Sequence, residues 1–234
     1  AYEIAQCLGG SEMCIRDSNR NMKTRKIRTA LYNVLPGEKA HALMAPRPKY
    51  IEGIEGVHPC PPVNSAILAL IVPFENELAL PLIKRVNRGK YHGGQIAFPG
   101  GKMEKEDADA LQTALRECHE EIGVPEEKVS ILGVLSDIYI PLSNFNITPI
   151  VGTTLQLPDF ILSQDEVEKV ILVKLRDLFD DRNKTTHSFV RHDHKIIAPG
   201  YKIGENFIWG ATAMIIAELE QLMKTNTFNH LGKL

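Results

Sequence analysis

The stretch GQIAFPGGKMEKEDADALQTALRECHEEIGV, residues 94–124, runs from an apolar strand-like piece through a double glycine into a segment with helical periodicity. The helix ends are marked: Asp109 followed three residues later by Gln112 offers a capping box, and Gly123 with Pro125 supplies a stop. At about 100° per residue, Leu111, Leu115, Cys118 and Ile122 share one narrow stripe, while Glu117, Glu120 and Glu121 take the adjoining and opposite surface. The stripe is expected to pack and the acids to stay out of the core.

Three neighbouring acids need a reason. Glu117 and Glu121 are four residues apart, which brings their Cβ atoms to about 5–6 Å, and each such like-charged pair costs a few tenths of a kcal/mol in an isolated helix. A shared hard divalent cation offsets that cost through oxygen coordination. For an arbitrary helix a solvated acidic face is the plainer reading. The preceding FPGGK, residues 98–102, shifts the balance, because a double glycine permits close backbone approach of a ligand and Pro99 limits the strand's exit. It is no P-loop, since the GKS or GKT ending is missing.

Working outward, SAILALIVPF (65–74) and ELALPLIKR (77–85) are strand-length apolar segments joined at Glu75–Asn76, and a hairpin is expected. Further strands are expected in VSILGVLSDIYI (129–140), NITPIVGTTL (146–155) and VEKVILVKL (167–175), then a short helical piece at RDLFDD and strands near THSFV and ENFIW. GATAMIIAELEQLM (210–223) reads as a closing amphipathic helix. The order of strands and helices suggests a layered α/β domain. Near the start, KTRKIRTALYNVL is basic and amphipathic, and the Pro- and Gly-punctuated residues after it read as an extended arm.

The chain of 234 residues, 44% hydrophobic and 24% charged, is long enough for one sizeable core. A net charge of -2 gives no reason to expect broad attraction to nucleic acid or an anionic membrane, so an anionic ligand must be recognised locally. No apolar run approaches the roughly 18 residues of a membrane-spanning helix. Cys7, Cys14, Cys60 and Cys118 show no CxxC pairing or zinc-ligand spacing, which fits a reducing cytoplasm. The opening residues lack the pattern of a secretory signal. SEMCIRDS, within residues 1–21, resembles translated sequencing-adapter read-through, so Met22 is the expected start and 1–21 are set aside. The expected divisions are an arm over 22–63, a catalytic-size domain over 64–225 and a tail over 226–234.

Residues 101–124 resemble the Nudix box. From Arg116 to Val124 every specified position matches: Arg-Glu, an apolar residue, any residue, Glu-Glu, any residue, Gly and an apolar residue. Asp107 stands where the box has a glutamate, with one extra residue before Arg116. Upstream, LIKRVNRGKYHGGQIAFPGG (82–101) resembles the segment before the box in the coenzyme A pyrophosphatases of that superfamily. Arg85, Gly94 and Phe98-Pro99-Gly100-Gly101 match it; Ile83, Val86 and Lys90 depart from it. LPGEKAHALMAP (35–46) and FIWGATAMII (207–216) extend the likeness over nearly the whole chain after Met22.

The resemblance implies an α/β/α sandwich with a mixed β-sheet and metal-assisted hydrolysis of a diphosphate, with Mg²⁺ or Mn²⁺ as cofactor. It makes Glu117 and Glu121 the leading metal ligands, Glu120 an additional one, Arg116 their orienter and the Gly101 carbonyl a completing ligand. Glu117 or a later acid such as Glu166 is the expected general base. Arg85, Arg88 and Lys90 are candidates for phosphate recognition, with solvation of a strand edge weighed about equally. His92, His192 and His194 rank lower, as surface groups of a polar loop. CoA or a related nucleoside diphosphate is the expected small-molecule partner, with no nucleic acid or membrane, and a homodimer stays open. Three readings stand: a CoA diphosphatase, a Nudix hydrolase of another nucleoside diphosphate derivative such as ADP-ribose or a dinucleotide, and a silent nucleotide-binding regulator. The full Arg-Glu-Glu-Glu set weighs against the last.

Overall fold

The computed structural model describes residues 24–47, 60–87, 94–191 and 194–228. Two strands dominate the sequence pattern and the fold alike. β1 (Val63–Phe74) and β2 (Glu77–Arg85) form the expected hairpin, in which Phe74 faces Glu77. Glu75 and Asn76 both take positive φ, 46° and 63°, the backbone twist that suits a two-residue connection between antiparallel strands.

The strands are apolar without alternation because both faces are covered. Ala66, Leu68, Leu70 and Val72 of β1 face one way, into a cluster with Ala114, Leu115, Cys118 and Ile122 of α3 (Ala110–Ile122). Ala69 and Ile71 face the other, into a cluster with Ile215, Ile216, Leu219 and Leu222 of α5 (Ala211–Phe228). The result is an α/β/α sandwich. Its sheet is mixed: β1 runs parallel to β7 (Phe145–Thr153), and β5 (Ser130–Val134) and β6 (Ile138–Ile140) pair antiparallel with β7. β8 (Val167–Lys174) pairs antiparallel with β2 and leads into the short helix α4 (Leu175–Leu178).

One irregularity positions the site. β1 and β2 pair directly only beside their turn and then part. The wedge between them is filled by β3 (Ile96–Ala97), paired with the end of β2, and by β4 (Gly100–Lys102), paired with the start of β1. Phe98 is buried at the wedge, and the Pro99 carbonyl accepts from Leu68 N at 2.9 Å.

Several expectations need correction. The described part of the arm is not extended: residues 24–31 (α1) and Glu38–Met44 (α2) are helical and bury Ile27, Ala30, Leu31 and Met44 in the same core as α5. The segment 129–140 is broken into β5 and β6. Arg191 closes β9 (Lys184–Arg191) and His194, expected in a polar loop, opens β10 (His194–Ile203), the two facing each other across an antiparallel pair. With β11 (Asn206–Trp209), these strands make a separate three-stranded sheet. The closing helix is not simply amphipathic, because it buries Glu218 and Glu220 beside its apolar residues. Among the described residues, no helix is long and apolar enough to cross a membrane.

Candidate active site

The helix α3 begins and ends as its sequence dictates. Asp109 Oδ1 accepts from Gln112 N at 2.9 Å, although Gln112 returns its side-chain oxygen to Ala108 N (2.7 Å) rather than to the cap residue. Gly123, at φ 72°, closes the helix by donating to the His119 carbonyl. Between these ends, α3 lies against β4 and presents its acids to the double glycine.

The two glycines make room for different neighbours, Gly100 for β1 and Gly101 for α3. Gly100 has φ 152°, and a Cβ there would stand 2.4 Å from the Ala66 carbonyl oxygen. A Cβ on Gly101 would stand 2.5 Å from the Glu117 carboxylate. Gly100 N donates to Glu121 Oε2 at 2.9 Å, so the turn and the acid hold each other.

Glu121 therefore departs from the expectation that the acids avoid packing: it is buried, 1% exposed. A charged group is tolerated there because one oxygen has the Gly100 N–H and the other has an ionic neighbour, Arg85 Nη2 at 3.1 Å. Burial pushes its pKa up, Arg85 and the Gly100 N–H pull it back, and repulsion from Glu117 and Glu166 adds to the rise, leaving it at about 7. Burial also raises Glu117; Arg116 opposes the shift, while Glu120 and Glu166 reinforce it.

Arg116 contacts Glu120, the partner expected for it, but makes a two-point contact with Asp107 as well. Its Nε and Nη2 donate to Asp107 Oδ1 and Oδ2 at 2.9 Å each, and Nη2 also reaches the Lys102 carbonyl at 3.2 Å. Nη1 then bridges Glu117 Oε1 and Glu120 Oε2, both at 3.0 Å. Asp107 additionally accepts from Thr113 Oγ1 and Glu104 N, each at 2.9 Å. The Arg116 hydrogen bond outweighs its burial and holds the Asp107 carboxyl well below the usual range. Sequence reasoning left Asp107 without a firm role; its place ahead of Arg116 in the box was the available signal.

The fold thus gathers Arg85, Gly101, Arg116, Glu117, Glu120 and Glu121 around one turn, and brings Glu166 to the same place. Val86 N donates to the Glu166 carbonyl at 2.9 Å, and the exposed Glu166 side chain is close enough to act on both Glu117 and Glu121. Arg85 is not simply a phosphate-facing group, since it donates to the Gly100 carbonyl at 2.7 Å beside Glu121. Arg88, Lys90, His92 and His192 lie outside the described residues.

The donors present are carboxylate oxygens, which suit Mg²⁺ or Mn²⁺. Glu121 Oε1 is buried and has no directed hydrogen bond, an atom with capacity to spare for a cation. Among the described residues, no three Asp, Glu, His or Cys side chains close into a ready cage. Oxygens of Glu117 and Glu120 are instead occupied by Arg116.

The sequence profile of the NUDIX domain matches residues 64–192. The chain is 34% identical to the uncharacterized Nudix hydrolase NudL of Enterobacter sp. (strain 638), over 67% of this chain and 82% of that protein. It is 35% identical to the NudL protein of Pectobacterium atrosepticum, over 67% and 80%. Among solved structures, a NUDIX hydrolase from Nitrosomonas europaea is similar with a TM-score of 0.46 and 20% identity, over 76% of this chain and 77% of that one.

Proposed function

Since the chain belongs to the NUDIX family of hydrolases, we propose that it uses Mg²⁺ or Mn²⁺ to hydrolyse the diphosphate of coenzyme A or an acyl-CoA. The products are 4′-phosphopantetheine, or its acyl derivative, and adenosine 3′,5′-bisphosphate; one water is consumed and the thioester is untouched. The observation that carries the reading is the buried Glu121 carboxylate, with an oxygen left undirected, beside Glu117 and Glu166, whose charges act against its own. Such a cluster suits an added positive charge.

When bound, the divalent ion supplies neutralisation of the diphosphate and a more acidic water. Glu117 and Glu121 are its proposed protein ligands, with Glu120 and the Gly101 carbonyl at the periphery. Arg116, anchored by Asp107, keeps Glu117 from swinging away. Two carboxylates are the candidates to accept the proton of an attacking water: Glu117, whose affinity for a proton is raised by burial, and Glu166 on the exposed side. The double glycine lets β4 pack closely on β1 and on the Glu117 carboxylate, which holds that proposed ligand beside the Gly101 carbonyl.

The choice of CoA rests on the upstream segment 82–101, in which Arg85, Gly94 and Phe98-Pro99-Gly100-Gly101 follow the pattern of the CoA pyrophosphatases. Turnover and product masses from CoA, acetyl-CoA, dephospho-CoA, ADP-ribose and NADH test it. CoA cleavage to the two named products is expected. Strong turnover of ADP-ribose or NADH with negligible CoA cleavage would replace the substrate and leave the hydrolytic mechanism standing. No turnover of any of them with either metal would favour the silent regulator.

A further inference from the structure

Arg85 stands where the site most needs a positive charge. Its backbone is pinned twice to one segment, Arg85 N donating to the Gln95 carbonyl and Gly94 N to the Arg85 carbonyl, both at 3.0 Å, while its neighbour Val86 donates to the Glu166 carbonyl. The pairing of β2 with β8 shifts register between Lys84 and Arg85, and a bulge of this kind re-aims a side chain. The guanidinium then contacts the Gly100 carbonyl at 2.7 Å through a directed hydrogen bond, and Glu121 Oε1 at 3.1 Å through charge alone.

We propose that Arg85 is a stand-in cation, neutralising Glu121 while no divalent ion is bound and giving up Oε1 when one arrives, so that its charge passes to the substrate diphosphate. The proposal rests on the metal-dependent reading of the site. Arginine stays protonated throughout, so its charge is moved rather than lost. Two cations on one carboxylate oxygen repel, and the undirected Arg85 contact is the weaker claim on it. The side chain is 29% exposed, which gives it an outward path, while the Gly100 carbonyl keeps it near the place where a diphosphate is to be cut. Metal and substrate binding are then coupled, each favouring the other.

The alternative is a brace, in which Arg85 only holds the turn through the Gly100 carbonyl. Mn²⁺ binding to the metal-stripped protein, followed by the electron paramagnetic resonance of free Mn²⁺ without substrate, separates the two. R85Q removes the competitor and should bind Mn²⁺ about tenfold more tightly than the parent, within the usual range of coupling between sites. Its KM for CoA should rise. R85K, which keeps the charge, should bind Mn²⁺ like the parent, and E121Q should bind it more weakly. A brace predicts weaker or unchanged Mn²⁺ binding in R85Q, and that result overturns the proposal alone. Parent binding that does not depend on Glu121 overturns it together with the metal reading. A second measurement needs no variant: ¹⁵N spectra of arginine side chains should show the Arg85 Nε–H signal shift and exchange faster on saturation with Mg²⁺. An unchanged signal also overturns it.

Discussion

Arg116 meets Asp107 edge-on through two hydrogen bonds of 2.9 Å, Nε to Oδ1 and Nη2 to Oδ2, which leaves Nη1 for Glu117 and Glu120. The planar fork fixes the angle at which that last nitrogen is offered. D107N breaks the two-point contact while nearly preserving shape. A fall in kcat of about 10- to 100-fold is expected, the usual scale for residues that orient metal ligands. Loss of the charged hydrogen bonds should cost on the order of 2 kcal/mol, read by melting. Unchanged kcat would mean that Glu117 does not depend on Arg116 for its position.

The two glycines should fail differently. In G101A the added methyl meets the far end of the Glu117 side chain, which can move, so the protein should fold and lose turnover. In G100A the methyl meets the Ala66 carbonyl and the Ile67 Cα at a positive φ, so the sheet itself must shift. Melting and kinetics on both variants test the distinction; an active G101A would remove Gly101 from the site.

Glu117→Gln and Glu121→Gln keep side-chain size and remove a negative ligand. Each should lower divalent-dependent turnover by at least about 100-fold, the scale of losing a group that stabilises charge in the reaction. Melting of the metal-free variants should change far less. Near-parental turnover in both at limiting Mg²⁺ and Mn²⁺ would mean that neither acid serves as a metal ligand and that Glu121 only braces the turn through Gly100.

Local chemistry was legible in the sequence and long-range pairing was not. The Glu75–Asn76 turn, the Asp109 cap and the Gly123 stop depend on neighbours a few residues away, and each forms where expected. The burial of Glu121 depends on β4, which enters from the wedge between β1 and β2, and helix periodicity carries no information about that partner. Arg85 and Glu121 meet for the same reason. β10 was hidden because Pro199 and Gly200 interrupt its apolar run, and Gly200 is needed there: a Cβ would strike the Ile208 carbonyl on β11. α2 was hidden because Pro36 and Gly37 read as loop, although Gly37 N–H binds Glu218 of α5.

A chain begun at Met22 should retain fold and turnover, whereas one begun at residue 48 should not. The longer cut removes Ile27, Leu31 and Met44 from the core, each worth about 1.5–3 kcal/mol when buried. Their sum rivals the roughly 5–15 kcal/mol that keeps a domain folded. Soluble, cooperatively melting protein from the shorter chain would show that the arm is dispensable and the boundary near residue 63 real.

Glu218 should make the fold sensitive to acid. Burial alone would raise its pKa, but His41 Nε2 at 2.9 Å, Ser136 Oγ at 2.6 Å and Gly37 N at 3.0 Å overcome that and hold it below its ordinary 4.5. A carboxyl depressed on folding binds a proton more weakly in the folded than in the unfolded chain. Its contribution to stability is therefore present above about pH 4.5 and is lost as pH falls through the lower folded-state value. E218Q should be less stable than the parent near neutrality, by on the order of 2 kcal/mol for the lost charged hydrogen bonds. Urea melts of both proteins from pH 7 down to about pH 3 should show the gap closing only below that ordinary value. A gap that stays constant or widens in acid would mean that the ionised carboxylate is not what joins α2, the β5–β6 connection and α5.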